Sequence, residues 1–377
     1  MLANRNMGVG VFGLKKRGKL CIIEEQYLRI MSKTLFENKR QISKSDVAPL
    51  VSVVLPVYNG QEYLKLAIDG VLSQSFNDFE LIIINDGSTD MSGEIVRVYL
   101  DPRIRYFEQL NQGLAATLNR GIELARGRYI ARQDQDDLYL AGRLQKQVDF
   151  LNSHSAVALV GTAAEIWVGG QRSDRSLRHP VDSDVLKFKA LFDNQFVHSS
   201  VMFRRSVVHE LGGYSTNKSR QPPEDYELWS RMIRNHKMLN LPDVLTGYRE
   251  VPGSMSRQGV SPFLSTLVKL SAENVAWASG VSSESTDATG LAALYHGAYK
   301  YFPVNATLRG MLSLLERAAR KSMGNTPVSA EALAALLARY RLKLQLRYFD
   351  YRLGGLPSLA LRFPLVLAAR KFLHWTP

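Results

Sequence analysis

Three carboxylates within four residues, Asp134, Asp136 and Asp137 around Gln135, form the densest chemical cluster in the sequence. Crowded on one turn they repel one another, and a hard divalent cation taking oxygen ligands would relieve that repulsion. The competing account is a solvated acidic turn that also caps the next helix. A second cluster, Asn85-Asp86-Gly87-Ser88-Thr89-Asp90, supplies a turn at Gly87 and a helix cap at Ser88 or Asp90. Asp86 remains, a carboxylate able to accept an N–H from a nucleobase. In a third cluster, Pro56-Val57-Tyr58-Asn59-Gly60, the Tyr58 ring can stack on a planar ligand or simply pack. A fourth, Glu224-Asp225, lies far downstream. An acidic pair at a helix start suits the helix dipole. Two remote carboxylate groups can also divide labour, one holding a metal and the other acting as general base.

These groups need strand ends to hold them. Val51 to Pro56, Phe79 to Ile84, Ile104 to Glu108 and Arg128 to Gln133 read as strands. Glu62 to Ser73, Ser92 to Leu100 and Gly113 to Arg126 have helical spacing. This alternation predicts an α/β fold with a doubly wound, mostly parallel sheet. Ligands bind such sheets beyond the carboxyl ends of the strands, where Tyr58, Asp86 and Asp134–Asp137 fall. No G-x-G-x-x-G follows the first strand and no Walker loop is present, which argues against dinucleotide and P-loop chemistry.

Further along, Leu140 to Asn152 reads as a helix and Val157 to Val168 as one long strand or a strand pair. Val185 to Phe192 reads as a helix and Ser199 to Arg204 as a strand, with another helix from Glu224 through His236. Beyond about residue 260 the pattern is helical: Leu264 to Ser279, Gly290 to Lys300, Leu308 to Lys321 and Ala330 to Tyr348. The last carries Arg339, Lys343 and Arg347 as a basic stripe. The expected organisation is a basic extension (1–50), an α/β domain (51–260) and a helical basic region (261–377).

The 377 residues are 45% hydrophobic, enough for a large core, so wholesale disorder is excluded. The one cysteine, Cys21, excludes an internal disulfide or a cysteine metal cluster. The net charge of +13 is concentrated at the ends: residues 1–50 carry +6, residues 51–302 carry −2 and residues 303–377 carry +9. Basic ends on a neutral body fit an anionic membrane surface better than a nucleic acid, which would be met by a basic cleft. The apolar stretch Leu353 to Ala369 is broken by Pro357, Arg362 and Pro364 and is short for a span. Near the start, Met7 to Leu14 precedes Lys15-Lys16-Arg17, the reverse of a secretory signal. These features predict a cytoplasmic protein, with the inner face of the membrane as the first candidate surface for its basic ends. The first 30 residues read as a tail or a misplaced start.

Taken in order, Val51-Ser52-Val53-Val54-Leu55-Pro56-Val57-Tyr58-Asn59, Ile83-Ile84-Asn85-Asp86-Gly87-Ser88-Thr89-Asp90, Asn111 to Gly121, Ala125 to Arg132 and Asp134-Gln135-Asp136-Asp137 closely resemble the family 2 glycosyltransferases. Weaker matches follow at His198-Ser199-Ser200, Gly212-Gly213-Tyr214, Glu224-Asp225 and Tyr248-Arg249. The resemblance implies a GT-A fold, a divalent metal (Mn²⁺ or Mg²⁺), a nucleoside-diphosphate sugar donor with UDP-sugars the first candidates, and inversion at the anomeric carbon. It places Pro56, Tyr58, Asn59 and Asp86 in the nucleoside pocket, and Asp134 and Asp136 on ribose and metal-bound diphosphate. It makes Asp225 the base and Glu224 its supporting neighbour. It sets His198 near donor phosphate or acceptor, against the alternative of a core histidine, and Arg249 over the phosphates or in a structural ion pair. Asp137 is left without a role beyond capping the next helix.

No Q-x-x-R-W segment follows the E-D pair, so a processive synthase is not expected. The expected acceptor is a glycan or a lipid-linked molecule in glycoconjugate or surface-polysaccharide assembly. Two other readings stand beside this one. A sugar-nucleotide nucleotidylyltransferase would need a glycine-rich, arginine-bearing loop after the first strand, which is missing. A non-catalytic nucleotide-sugar-binding or scaffold protein would have no need to keep the carboxylates.

Overall fold

The computed structural model describes residues 48–251, 263–322 and 327–352. The readings that fall on residues 1–47 and 353–377, the basic amino-terminal extension and the late apolar stretch, lie outside the described residues. Strands β1 (Val51–Val57) and β2 (Phe79–Asn85) are buried at every position, as strands covered on both faces must be. Helix α1 (Leu64–Leu72) connects them. Helix α2 (Ser92–Arg97) leads to the half-buried edge strand β3 (Ile104–Glu108), and α3 (Leu114–Leu124) leads to β4 (Tyr129–Arg132). The side-chain alternation of β1 explains the double winding. Val53 and Leu55 face α1 and join Leu64, Ile68, Leu81 and Ile83 in one core. Val54 faces the other way and joins Ile82, Leu118, Ile122 and Trp229. Gly121 lets α3 lie close on β1, because a Cβ there would overlap Val54 Cγ1.

The chain continues through β5 (Leu138–Tyr139), α4 (Arg143–Ser153), β6 (Val157–Val168), β7 (Gln171–Leu177), α5 (Ser183–Ala190) and β8 (Met202–Arg204). It then forms α6 (Arg205–Glu210), α7 (Glu224–Asn235) and β9 (Lys237–Glu250). The described strands make one sheet ordered β3-β2-β1-β4-β8-β6-β9-β5, with β7 added on β6. The half β3-β2-β1-β4 is parallel, as are β6 and β9, while β8 and β5 pair antiparallel with their neighbours. This is the expected α/β, GT-A-like sheet with a helical extension. Residues 157–168 are a single strand, and β8 starts later than expected because His198–Ser200 forms a short 3-10 turn. Strand β9 escapes a sequence reading, since Asn240, Pro242 and Gly247 interrupt its apolar pattern.

The extension comprises α8 (Leu264–Ser279), α9 (Thr286–His296), α10 (Leu308–Ser322) and α11 (Pro327–Arg352). Its core of Val275, Leu291, Leu294, Met311 and Leu315 runs into Phe188 and Phe192 at the end of α5. Helix α9 lies four residues before its expected place. Ser285 caps its start, and Gly297 closes its end with a φ of 69°. The basic stripe of α11 also needs correction. Arg339 is exposed, but Arg347 donates to the carbonyls of Leu294 (2.6 Å) and Tyr295, and Lys343 lies 4.1 Å over the Tyr295 ring. Two of the three cations therefore serve the C-terminus of α9 and its aromatic neighbour, where cations are favoured. Among the described residues no helix is long and apolar enough to cross a membrane.

Candidate active site

The loops after β1, β2 and β3 are stitched together by short polar side chains. Asn59, at a φ of 50°, accepts the Thr89 N–H at 2.9 Å, and its own N–H donates to Ser88 Oγ at 3.0 Å. Gly60 N donates to Ser92 Oγ (2.9 Å) and Gln61 N to Asp90 Oδ2 (3.0 Å). Asp86 is 3% exposed and accepts Gln109 Nε2 (2.7 Å), Gln112 N (2.9 Å) and Gly113 N (2.9 Å). Its carboxylate thus shapes the 109–113 loop, a task its sequence position does not reveal. Pro56 is buried in β1, and Tyr58 is 50% exposed at the strand end.

Gln135 ties this platform to the acidic turn. Its side-chain amide receives Tyr58 N–H (2.8 Å) and donates to Tyr58 O (3.0 Å), the pairing one strand makes with another. Gly60 makes room for it: a Cβ there would stand 2.5 Å from Gln135 Oε1.

Each carboxylate of the acidic turn has a different environment. Asp134 Oδ1 accepts Arg132 Nη2 at 2.6 Å, and Arg132 is only 1% exposed. Asp136 is pushed up to about 6, chiefly by burial and then by the charge of Asp134. Asp137 points inward. It receives Ser199 Oγ and, at 2.8 Å, the backbone N–H of Arg249, and burial holds its carboxyl well above the usual range. The expectation that Asp137 caps the next helix is therefore corrected: Gly142 precedes α4, and Asp137 braces the turn against β9. The pairing of β5 with β9 brings Arg249 here, where its Nε donates to Asp136 O at 2.8 Å and its guanidinium stacks 4.1 Å from the Tyr63 ring.

Glu224 and Asp225 occupy the first turn of α7. Asp225 is pushed up to about 7 by burial, by the neighbouring charge of Glu224 and by that of Asp134. The Tyr226 N–H and the Asn194 side chain oppose the rise. Burial also raises Glu224, with Arg132 opposing and Asp134 adding. His198 Nδ1 lies 3.9 Å from Glu224 Oε1, and its Nε2 is 2.9 Å from the Tyr214 hydroxyl. Burial, and then the charge of Arg132, hold this imidazole well below its usual value, so the contact with Glu224 involves a neutral ring and is no ion pair. Arg132 pairs with Asp134; burial works against its charge, which the carboxylates Asp134 and Glu224 sustain. It is the electrostatic link between the two carboxylate groups.

Arg132, Gln135, Asn194 and Tyr214 were not singled out as site residues from the sequence. A charged residue ending a buried strand is the one local signal that could have flagged Arg132. Among the described residues no group of three or more His, Cys, Asp or Glu side chains forms a metal cage. The donor set still fits a hard cation that draws part of its oxygen shell from a bound ligand. Asp136 is half-buried beside Asp134, and Arg132 engages one of the two Asp134 oxygens.

A sequence model described as Glycosyl transferase family 2 matches residues 52–212. EpsE of Bacillus subtilis (strain 168), named as a glycosyltransferase, is 34% identical over 216 residues, which is 56% of this chain and 76% of that protein. The amylovoran biosynthesis glycosyltransferase AmsE of Erwinia amylovora is 32% identical over 206 residues, 53% of this chain and 76% of its own. The chain spans only about a third of longer relatives, such as a glycosyltransferase of Rickettsia felis (33% identity, 32% of that protein). The solved structure of S. aureus TarS 1–349 with UDP-GlcNAc superposes with a TM-score of 0.53 at 17% identity, covering 81% of this chain and 92% of that one. That likeness concerns the fold alone. With motifs, relatives and fold in agreement, the chain belongs to glycosyl transferase family 2.

Proposed function

We propose that the protein transfers a sugar from a nucleoside-diphosphate sugar to an acceptor hydroxyl with inversion, in a single displacement. The observation that carries this reading is the convergence of the two carboxylate groups: Arg132 donates to Asp134 Oδ1 at 2.6 Å and also feels the charge of Glu224, and the neighbouring Asp225 carboxyl, which feels Asp134, is pushed up to about 7, first by burial. A base titrating near neutrality accepts a proton well at cellular pH. Pro56, Tyr58, Asn59 and Asp86 would form the nucleoside end, with Gln135 holding Tyr58 in place. His198 and Arg249 would approach the phosphates. A divalent cation, Mn²⁺ or Mg²⁺, would take oxygens from Asp134 and Asp136, and its chemistry is to neutralise charge on the departing diphosphate.

The acceptor oxygen bonds to the anomeric carbon as the carbon–phosphate-oxygen bond breaks. The electron pair leaves with the nucleoside diphosphate, and the acceptor proton passes to Asp225. Glu224, buried beside it, raises the proton affinity of Asp225. Only the ionised carboxylate accepts a proton, so transfer rises with pH through about 7. UDP-sugars are the first donors to try, TarS having been solved with UDP-GlcNAc. The acceptor class we favour is a glycan or lipid-linked molecule of polysaccharide assembly, as the name of AmsE suggests, met at the inner face of the membrane.

A thermal-shift screen of nucleotide sugars with and without Mn²⁺ tests the donor end, because a bound donor stabilises the fold by mass action. Transfer assays on the best donor, comparing wild type with Asp225→Asn, test the base. No shift with any nucleotide sugar, or transfer by Asp225→Asn at the wild-type rate, would overturn the reading.

A further inference from the structure

Asp225 is held by two donors that come from different parts of the chain. Tyr226 N–H, from its own helix, reaches Oδ1 at 2.6 Å, and Asn194 Nδ2 reaches Oδ2 at 2.6 Å. Asn194 belongs to the segment after α5, thirty-one residues upstream. The orientation of its amide is settled by chemistry. Phe196 N–H, which can only donate, lies 3.0 Å from Asn194 Oδ1, so the oxygen is committed there and the NH₂ group must face Asp225. The backbone is anchored as well: Ser271 Oγ on α8 donates to Phe192 O at 2.8 Å and contacts His296 Nε2 at 2.8 Å. The helical extension thereby fixes the segment from which Asn194 projects.

We infer that Asn194 is a positioning residue for Asp225. It fixes the carboxylate rotamer and supplies a hydrogen bond that favours the ionised form. The inference rests on the reading of Asp225 as proton acceptor. The other groups that face Asp225 are Glu224 on its own helix, Asp134 from the acidic turn and the Tyr214 phenol after α6. None of these supplies a hydrogen-bond donor to Oδ2, so losing Asn194 leaves Glu224 and Asp134 to drive the proton affinity up.

Asn194→Asp isolates the effect. It keeps the oxygen that receives Phe196 N–H, and so the local fold, while replacing the donor to Asp225 with an acceptor. Asn194→Ala removes both contacts and serves as the second variant. The pH profile of kcat is expected to shift its rising limb upward by about one pH unit, and by more in Asn194→Asp. At pH 7 this gives a fall of about fivefold in kcat, with the donor KM within about twofold of wild type. A carboxyl-carbon NMR titration provides a readout without turnover. The Asp225 resonance, assigned by its loss in Asp225→Asn, is expected to titrate higher in both variants. An unmoved titration overturns the inference whether or not a substrate has been found. If Asp225→Asn is inert while Asn194→Asp keeps the wild-type limb, the inference fails and the proposed function stands. If Asp225→Asn turns over normally, the proposed function itself fails.

Discussion

Replacing Asp225 with asparagine should abolish transfer and stabilise the fold, and the second effect can be worked out in advance. The folded-state carboxyl is raised from 3.8 to about 7, so the folded protein binds this proton more tightly than the unfolded chain does. Such a group costs stability wherever it is forced to ionise. The cost is fully present above pH 7, shrinks as pH falls toward 4, and vanishes below the unfolded value. A rise of about three pH units corresponds to at most about 4 kcal/mol. Partial solvation and the shared charge of Glu224 trim this to about 3 kcal/mol. Asparagine keeps one acceptor oxygen, so one of the two hydrogen bonds to residue 225 is lost, at about 1 kcal/mol. The net gain is about 2 kcal/mol at pH 8, or about 3 °C in Tm for a chain of this size. Scanning calorimetry of wild type and Asp225→Asn at pH 8, 6 and 4 measures it, with kcat expected to fall by about 10²–10⁴-fold. A variant less stable than wild type at pH 8, or a gain that persists unchanged at pH 4, would refute the picture of a half-buried carboxylate strained by its neighbours.

Other perturbations test the surrounding parts. Arg132→Met strips Asp134 of its buried partner and should lower stability by about 3 kcal/mol, read as a reduced urea midpoint; an unchanged midpoint contradicts the linking role of Arg132. Gln135→Ala releases Tyr58 and should raise the donor KM about fivefold while sparing kcat, as expected from about 1 kcal/mol of lost hydrogen bonding. Gly121→Ala forces α3 away from Val54 and should destabilise by about 2 kcal/mol without altering donor affinity, measured by denaturation and calorimetric titration. Mn²⁺ at a hundredfold its Kd should add about 2.7 kcal/mol of stability, and Asp136→Asn should erase that gain. A gain that survives in the variant moves the cation elsewhere.

Strands β1 and β2 were legible because buried parallel strands are largely apolar runs, broken here only at Ser52, Glu80 and the terminal Asn85. The clusters at their carboxyl ends were legible for a related reason. Polar residues directly after such a strand stand at the carboxyl edge of the sheet, where parallel sheets bind their ligands. What each polar group does there was decided by partners far away in the chain. Gln135 meets Tyr58 across 77 residues, Asp137 meets Arg249 across 112, and Asn194 meets Asp225 across 31. Such separations leave no periodicity to read. The strand that delivers Arg249 was hidden because β9 is recognised by its pairing with β6 and β5 more than by its composition. On α11 the sequence showed three cations on one face, and packing turned two of them inward to the end of α9. Local sequence determined the parallel half of the sheet and the residue types at its edge, because burial and turn chemistry act between near neighbours. Tertiary structure alone assigned the charges, since the proton affinity of a carboxylate depends on whichever groups the fold sets within a few ångströms of it.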